Sequence, residues 1–512
     1  MPIALSSTEA PPTAASAWLR PVSDVGHLLR FRSASVRRRA AFWWATLVMV
    51  GLTVAAAVVP AYIPADDERR LEFAVLLPTA MAGLLLISVV SAIASGGGRE
   101  LISREQGVAF PVSPATDHLG ALVLAPLNIA WLIQAWVLLG AAAYAMGPSE
   151  LVPLQTVLLL WLALATAVGQ LVAWVVETVR RRRHGVVVVR LFVCALSAGA
   201  LWVQLTGRTT DLLDRIPTLW LVLGGLEGFG SRWALTLLVE AVLLAAAVLL
   251  GVIPVTLASR QMPHDELRME ADTHVPRTMP WSDLTALLRL DRASVWRAVP
   301  MRRGLAVLAI GPGLVAVLGN LPWPSLTILP GLVVSGGALL FGVNAWCLDA
   351  RGVLWRENLP TSPDLVFWVR VLVLVEFLGV ASLATVLLAS VRAGVPSTSE
   401  LTALACTVVV VTVQVVGASM RWSAQRPYPV DLRSARATPA PPIVMVGYSA
   451  RLAVSTTLTG LVFSGLARVP EPRVSLLVAV VFLGWSSFRL VRAAQRWSEP
   501  QRRAQVVTVV AG

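Results

Sequence analysis

Apolar residues in this chain come in long uncharged runs, not in the short alternations of a soluble fold. Residues 40–65, 73–98, 118–149 and 151–176 contain no Asp, Glu, Lys or Arg, and 304–348 stays uncharged for longer still. A helix needs about 20 apolar residues to cross a bilayer. Each of the first four runs fits one span. The last fits two, separated by the turn Gly319-Asn320-Leu321-Pro322-Trp323-Pro324. Carried along the whole chain, the pattern predicts twelve spans, near 40–63, 73–96, 119–146, 152–176, 185–206, 233–257, 304–320, 327–347, 366–391, 401–420, 442–466 and 474–494. The expected fold is therefore an all-α polytopic membrane protein. The longest outer loop, about 207–232, has room for short helices on or in the outer leaflet but not for a separate domain.

Charge then fixes an orientation. The 42 basic residues are all Arg. With the amino terminus in the cytoplasm, and with Arg489 and Arg492 at the inner end of the last span counted with the tail, 31 of them fall in cytoplasmic segments, 8 in outer loops and 3 within spans, the asymmetry that the positive-inside rule describes. Both termini are then cytoplasmic. The net charge of +13 is spread over membrane edges, so lipid headgroups, not nucleic acid, are its expected partners; Arg180–Arg183 with His184 read as a topology anchor. Only 14% of the 512 residues are charged, against about 25% in soluble proteins.

The absence of Lys excludes two chemistries. A Walker A loop needs its Lys on the phosphates, and Schiff-base catalysis needs a Lys amine. Cys194, Cys347 and Cys406 have no paired spacing, and the five His show no metal-ligand spacing. Neither a disulfide framework nor a metal site is expected.

The chain repeats itself. Ser23-Asp24-Val25-Gly26-His27-Leu28-Leu29-Arg30 and the eight residues after it match Ser282-Asp283-Leu284-Thr285-Ala286-Leu287-Leu288-Arg289 and the eight that follow at 9 of 16 positions without a gap. Both stretches open on a Ser-Asp cap signal and carry the apolar spacing of a helix lying in the membrane interface. After the second span of each half, Arg104-Glu105-Gln106 precedes Pro111-Val112-Ser113-Pro114, and Arg356-Glu357-Asn358 precedes Pro360-Thr361-Ser362-Pro363. In the fifth spans, Arg190-Leu191 with Val193 and Gly199 echoes Arg451-Leu452 with Val454 and Gly460. Even span numbers make this a parallel repeat of two six-helix halves. The expected organisation is a disordered leader (1–22), a first six-span half with its elbow helix (23–258), a cytoplasmic linker (259–281), a second half with its elbow helix (282–495) and a cytoplasmic tail (496–512).

An elbow helix, six spans and an Arg-Glu…Pro-x-Ser segment after the second span resemble the permease subunits of type-2 ABC exporters. The resemblance implies that the loop after the second span of each half docks on an ATPase. Arg104, Glu105, Pro111, Ser113 and Pro114 would serve in the first half, and Arg356, Glu357, Pro360, Ser362 and Pro363 in the second, which is the shorter and poorer match. Members usually are single six-span units that dimerise; here two units are joined, and whether one chain or a homodimer is the working unit stays open. The resemblance also implies a plasma-membrane protein of a bacterial cell, no cofactor and no catalysis in this chain, and ATP-Mg bound and hydrolysed on a separate ATPase subunit. An ordinary capped interfacial turn would use the same residue types.

Charges at bilayer depth cost roughly 2.5–3.5 kcal/mol on insertion scales, so Arg190, Glu240, Arg370, Glu376 and Arg451 are candidates to line a path. Snorkelling for the two fifth-span Arg, and structural pairing for the Glu residues, are the bland alternatives. Two other functions fit parts of the pattern: a proton-coupled secondary transporter using Glu240 or Glu376, and a lipid-linked-sugar glycosyltransferase using Asp66-Asp67-Glu68 after the first span.

Overall fold

The computed structural model describes residues 14–34, 39–95, 112–125, 129–148, 151–208, 215, 217–261, 278, 280–349, 352–429, 440 and 442–511. Every regular element among them is helical. The chain divides into two compact units, Met1–Asp272 and Thr273–Gly512.

In the first unit the helices are α1 (Ala14–Ala34), α2 (Arg39–Val58), α3 (Asp67–Ser95), α4 (Pro114–Leu124), α5 (Ile129–Met146), α6 (Leu151–Arg180), α7 (Gly185–Leu205), α8 (Thr218–Leu226) and α9 (Ser231–Ser259). The elbow region is helical from Ala14, so the last part of the expected 1–22 leader belongs to α1; Ala14, Ala15 and Ala17 are strong helix formers. Core packing is led by α6, which lies against α3 on one side and α9 on the other. Leu77, Met81, Leu139, Leu154 and Leu158 are fully enclosed there. The expected third span is divided between α4 and α5, with 126–128 outside the described residues. The short helix expected in the 207–232 loop is α8, wedged among α3, α6 and α9.

In the second unit follow α10 (Asp283–Arg297), α11 (Val299–Leu318), α12 (Leu329–Phe341), α13 (Gly352–Glu357), α14 (Pro363–Ala389), α15 (Thr398–Gln425), α16 (Pro442–Leu466), α17 (Pro472–Ser498) and α18 (Pro500–Ala511). α10 turns into the next helix through a bend of 82°. The turn after α11 places Asn320 at φ 47°, the left-handed region that Asn tolerates better than most residues. The 496–512 tail is not free chain: Val506, Val507 and Val510 of α18 are buried in the core of this unit.

Among the described residues, seven helices are long and apolar enough to cross a membrane. Three lie in the first unit, at Asp67–Val90, Leu151–Arg180 and Ser231–Ser259. The other four are Trp323–Phe341, Pro363–Arg392, Thr398–Gln425 and Pro472–Ser498. Several turn large apolar side chains outward, such as Leu238, Val242 and Leu249 on α9 and Leu477, Val480 and Val481 on α17. Apolar faces of that extent suit lipid, not water. The chain is a polytopic helical membrane protein.

Candidate functional site

Both Pro-x-Ser-Pro segments end in the same local structure. Ser113 Oγ accepts the Thr116 N–H at 3.1 Å, and Ser362 Oγ accepts the Leu365 N–H at 3.2 Å. Pro114 and Pro363 occupy the first helical turn, where a missing N–H does no harm. Asp117 and Asp364 sit in those first turns, on the positive end of the helix dipole. In each unit the elbow helix packs against the helix so begun, α1 against α4 and α10 against α14. Thr116 Oγ1 donates to Asp24 Oδ2 at 3.4 Å in the first unit.

The second unit adds a buried charge cluster at this place. Asp291 of α10 is wholly buried, as is Arg370, two turns into α14. Arg370 Nε lies 2.9 Å from Asp291 Oδ2, and its Nη2 lies 3.1 Å from Oδ1. The same Nη2 reaches Asp349 Oδ2 at 2.6 Å, and Nη1 donates to the Ala345 carbonyl at 2.5 Å. Arg356 of α13 completes the set, with Nη1 at 2.7 Å from Asp291 Oδ1 and 2.9 Å from Asp349 Oδ2. Two carboxylates and two guanidiniums make the cluster neutral, the condition under which buried charges persist. Burial alone would raise the Asp349 carboxyl, but Arg370 and Arg356 outweigh it and hold the group below its ordinary value.

Aromatic packing and the last helix close the cluster from one side. Trp346 and Trp497 stack with ring centres 3.8 Å apart and planes 6° from parallel, and the Arg370 guanidinium lies 5.4 Å from the Trp346 ring. Trp497 Nε1 donates to the Pro363 carbonyl at 3.2 Å. α18 packs on α13, and Arg503 Nε meets Glu357 Oε1 at 2.5 Å. A cavity of about 180 Å³ remains between them, lined by Arg356, Glu357, Thr361, Trp497, Arg503 and Val507. Leu354 and Trp355, on the other side of α13, are 46% and 64% exposed.

The residues singled out from sequence thus separate. Arg104, Glu105 and Pro111 lie outside the described residues. Ser113, Pro114, Ser362 and Pro363 build helix starts, and Pro360 is exposed beside one of them. Arg356 points inward, while Glu357 is taken up by Arg503. Arg370 belongs to the cluster. Glu376 pairs with Arg292 of α10 at 2.9 Å. Arg190 is exposed on α7, and Arg451 is exposed on α16 with its guanidinium 5.3 Å from the Trp422 ring. In the first unit, Glu240 is wholly buried on α9, and neither carboxylate oxygen has a hydrogen-bond partner among the described residues. The acidic run Asp66-Asp67-Glu68 is exposed and opens α3, with Asp67 and Glu68 in its first turn, a dipole-stabilising position.

Asp291, Asp349, Trp355 and Arg503 were not anticipated. One signal was available: in the gapless repeat, Asp291 stands where the first half has Arg32, a reversal of charge within an otherwise shared motif. Counted from the two helix-starting prolines, Arg370 likewise stands where the first half has Ala121. No group of His, Cys, Asp and Glu able to hold a metal occurs among the described residues. Comparison with known protein families, with curated proteins and with solved structures finds no match.

Proposed function

We propose that this chain is the membrane permease component of an ATP-driven exporter of the type-2 ABC kind, with two fused six-span halves forming a parallel repeat of twelve spans. Both termini would face the cytoplasm, and the protein would reside in a bacterial plasma membrane. The observation that carries the reading is the recurrence, in both units, of an elbow helix packed against a helix that starts at a Ser-capped Pro-x-Ser-Pro segment. A chance repeat of sixteen residues has no reason to recur together with its structural neighbour.

In this reading ATP-Mg is bound and hydrolysed on a separate ATPase subunit that docks at α13 and at the equivalent segment of the first half. The docking surface of α13 is Leu354 and Trp355, because Arg356 is engaged inside and Glu357 is engaged by Arg503. Arg356 and Arg370 both grip Asp291, so a push on α13 reaches α10 and α14 as one body. That is how the geometry would convert partner movement into a shift of spans between inward- and outward-facing states. The test is affinity purification of the tagged chain in mild detergent with its co-purifying subunits. A stoichiometric ATPase, weakened by Trp355→Asp, supports the reading; a preparation without any nucleotide-binding partner overturns it.

Glu240 favours a second reading, the proton-coupled carrier, in which no ATPase would co-purify and transport would follow an imposed proton gradient. No observation favours the glycosyltransferase, since its acidic run serves as a helix start.

A further inference from the structure

Among the described residues, the other wholly or almost wholly buried carboxylate and guanidinium side chains are paired: Asp291, Arg356 and Arg370 hold one another. Glu240 does not follow this rule. It is 0% exposed, on a helix apolar and long enough to cross a membrane, and both oxygens are without hydrogen-bond partners among the described residues.

Among the described residues, the helices packed on α9 bring no cation into an ion pair with it. On α4, the His118 ring binds the Val248 carbonyl through Nε2 at 3.2 Å, and that carbonyl lies eight residues along α9, about 12 Å at 1.5 Å per residue. Asp117 and Glu177 are of the same sign as Glu240, and Glu177 of α6 is committed to Arg180 and Arg181. Glu227, after α8, pairs with Arg232, which lies eight residues back along α9. The Thr236 hydroxyl, one turn away, donates to the Arg232 carbonyl at 2.9 Å. A carboxylate in such a place is closed off from the surface and unpaired among the described residues, and intramembrane ionisable groups left in this condition mark sites of ion or substrate passage.

We infer that Glu240 is the binding site for one positive charge supplied from outside the protein. In the closed packing of α6, α8 and α9 that charge is a proton on the carboxyl. When these helices part, a lipophilic organic cation takes its place, with apolar walls around a single ionic contact. As a substrate class for the proposed permease this rests on the reading above; as a cation-accepting carboxyl it does not.

The test uses the full chain alone in lipid nanodiscs, with no ATPase present. Dicyclohexylcarbodiimide adds to protonated carboxyls in apolar surroundings, and the site of addition is read by peptide mass spectrometry. The expected result is an adduct on Glu240, absent in Glu240→Gln, whose folding is checked by its melting temperature. Tetraphenylphosphonium slows the addition about tenfold when present at about ten times its Kd, and tetraphenylborate, of the same shape and opposite charge, does not. No adduct on Glu240 in folded protein overturns the inference. An adduct that tetraphenylphosphonium leaves unchanged overturns the organic-cation arm and supports the proton alone. Because no partner is involved, the result stands whether or not an ATPase co-purifies.

Discussion

Arg370 grips Asp291 at two points, Nε to Oδ2 at 2.9 Å and Nη2 to Oδ1 at 3.1 Å. This contact joins the elbow helix of the second unit to a helix that is apolar enough to cross a membrane, and Arg356 extends it to α13. Breaking a buried pair leaves a lone charge, which costs roughly 3–5 kcal/mol, whereas replacing both partners by apolar groups often costs little. Arg370→Met and Asp291→Leu should therefore each lower the melting temperature sharply, and the double variant should lie closer to wild type than either single one. Additive losses would show that the pair acts through packing and not through charge.

Acid should weaken the same cluster. The Asp349 carboxyl is held below its ordinary value of 3.8 in the fold, so its contribution is complete above that value and is lost as pH falls through the lower folded one. The stability gap between wild type and Asp349→Asn should be constant near neutrality and narrow only in strong acid. A gap that narrows between pH 7 and 5 would assign the effect to another group.

Arg503 and Glu357 form a partly exposed pair, and such pairs contribute roughly 0.2–1 kcal/mol. Reversing either charge should loosen α18, seen as faster amide exchange over 500–511, while the fold persists because Val506, Val507 and Val510 still anchor the helix. The double reversal, Glu357→Arg with Arg503→Glu, should restore protection. Without that recovery the pair has no role in holding the tail.

Gly251 of α9 faces His118 so closely that a Cβ built there would lie 2.4 Å from the imidazole ring. Overpacking of this kind costs roughly 1–3 kcal/mol. Gly251→Ala should destabilise the chain by that order in thermal unfolding, and His118→Ala in the same molecule should recover part of the loss. An unchanged melting temperature would mean that α4 and α9 yield freely at this contact.

Much of this architecture was legible in residue order because membrane helices announce themselves by local composition. The uncharged run 151–176 became α6, and the Ser362-Pro363 cap signal became the start of α14 with the predicted bond. Pairings across sequence were not legible. Arg356 reads as a loop cation beside Glu357, and only the fold turns it inward to Asp291, 65 positions away in the chain. Arg370 was flagged for its depth, but nothing local to it names Asp349 as a partner. Residues 496–512 read from sequence only as a cytoplasmic tail; Pro500–Ala511 carries just enough apolar residues for one buried face, and that face has meaning only against α13. Glu240 stands out in the sequence by its place in an apolar run; its lack of a hydrogen-bond partner among the described residues is a property of packing.

The central claim is that the chain works with a separate ATPase through α13 and its first-half counterpart. The most direct measurement is native mass spectrometry of the tagged protein extracted from its own membrane, paired with ATPase activity of the same preparation. The account predicts a nucleotide-binding subunit in fixed ratio, with both its retention and its activity reduced by Trp355→Asp. A chain that is isolated intact from that membrane with no such subunit, and with no ATPase activity, would contradict it.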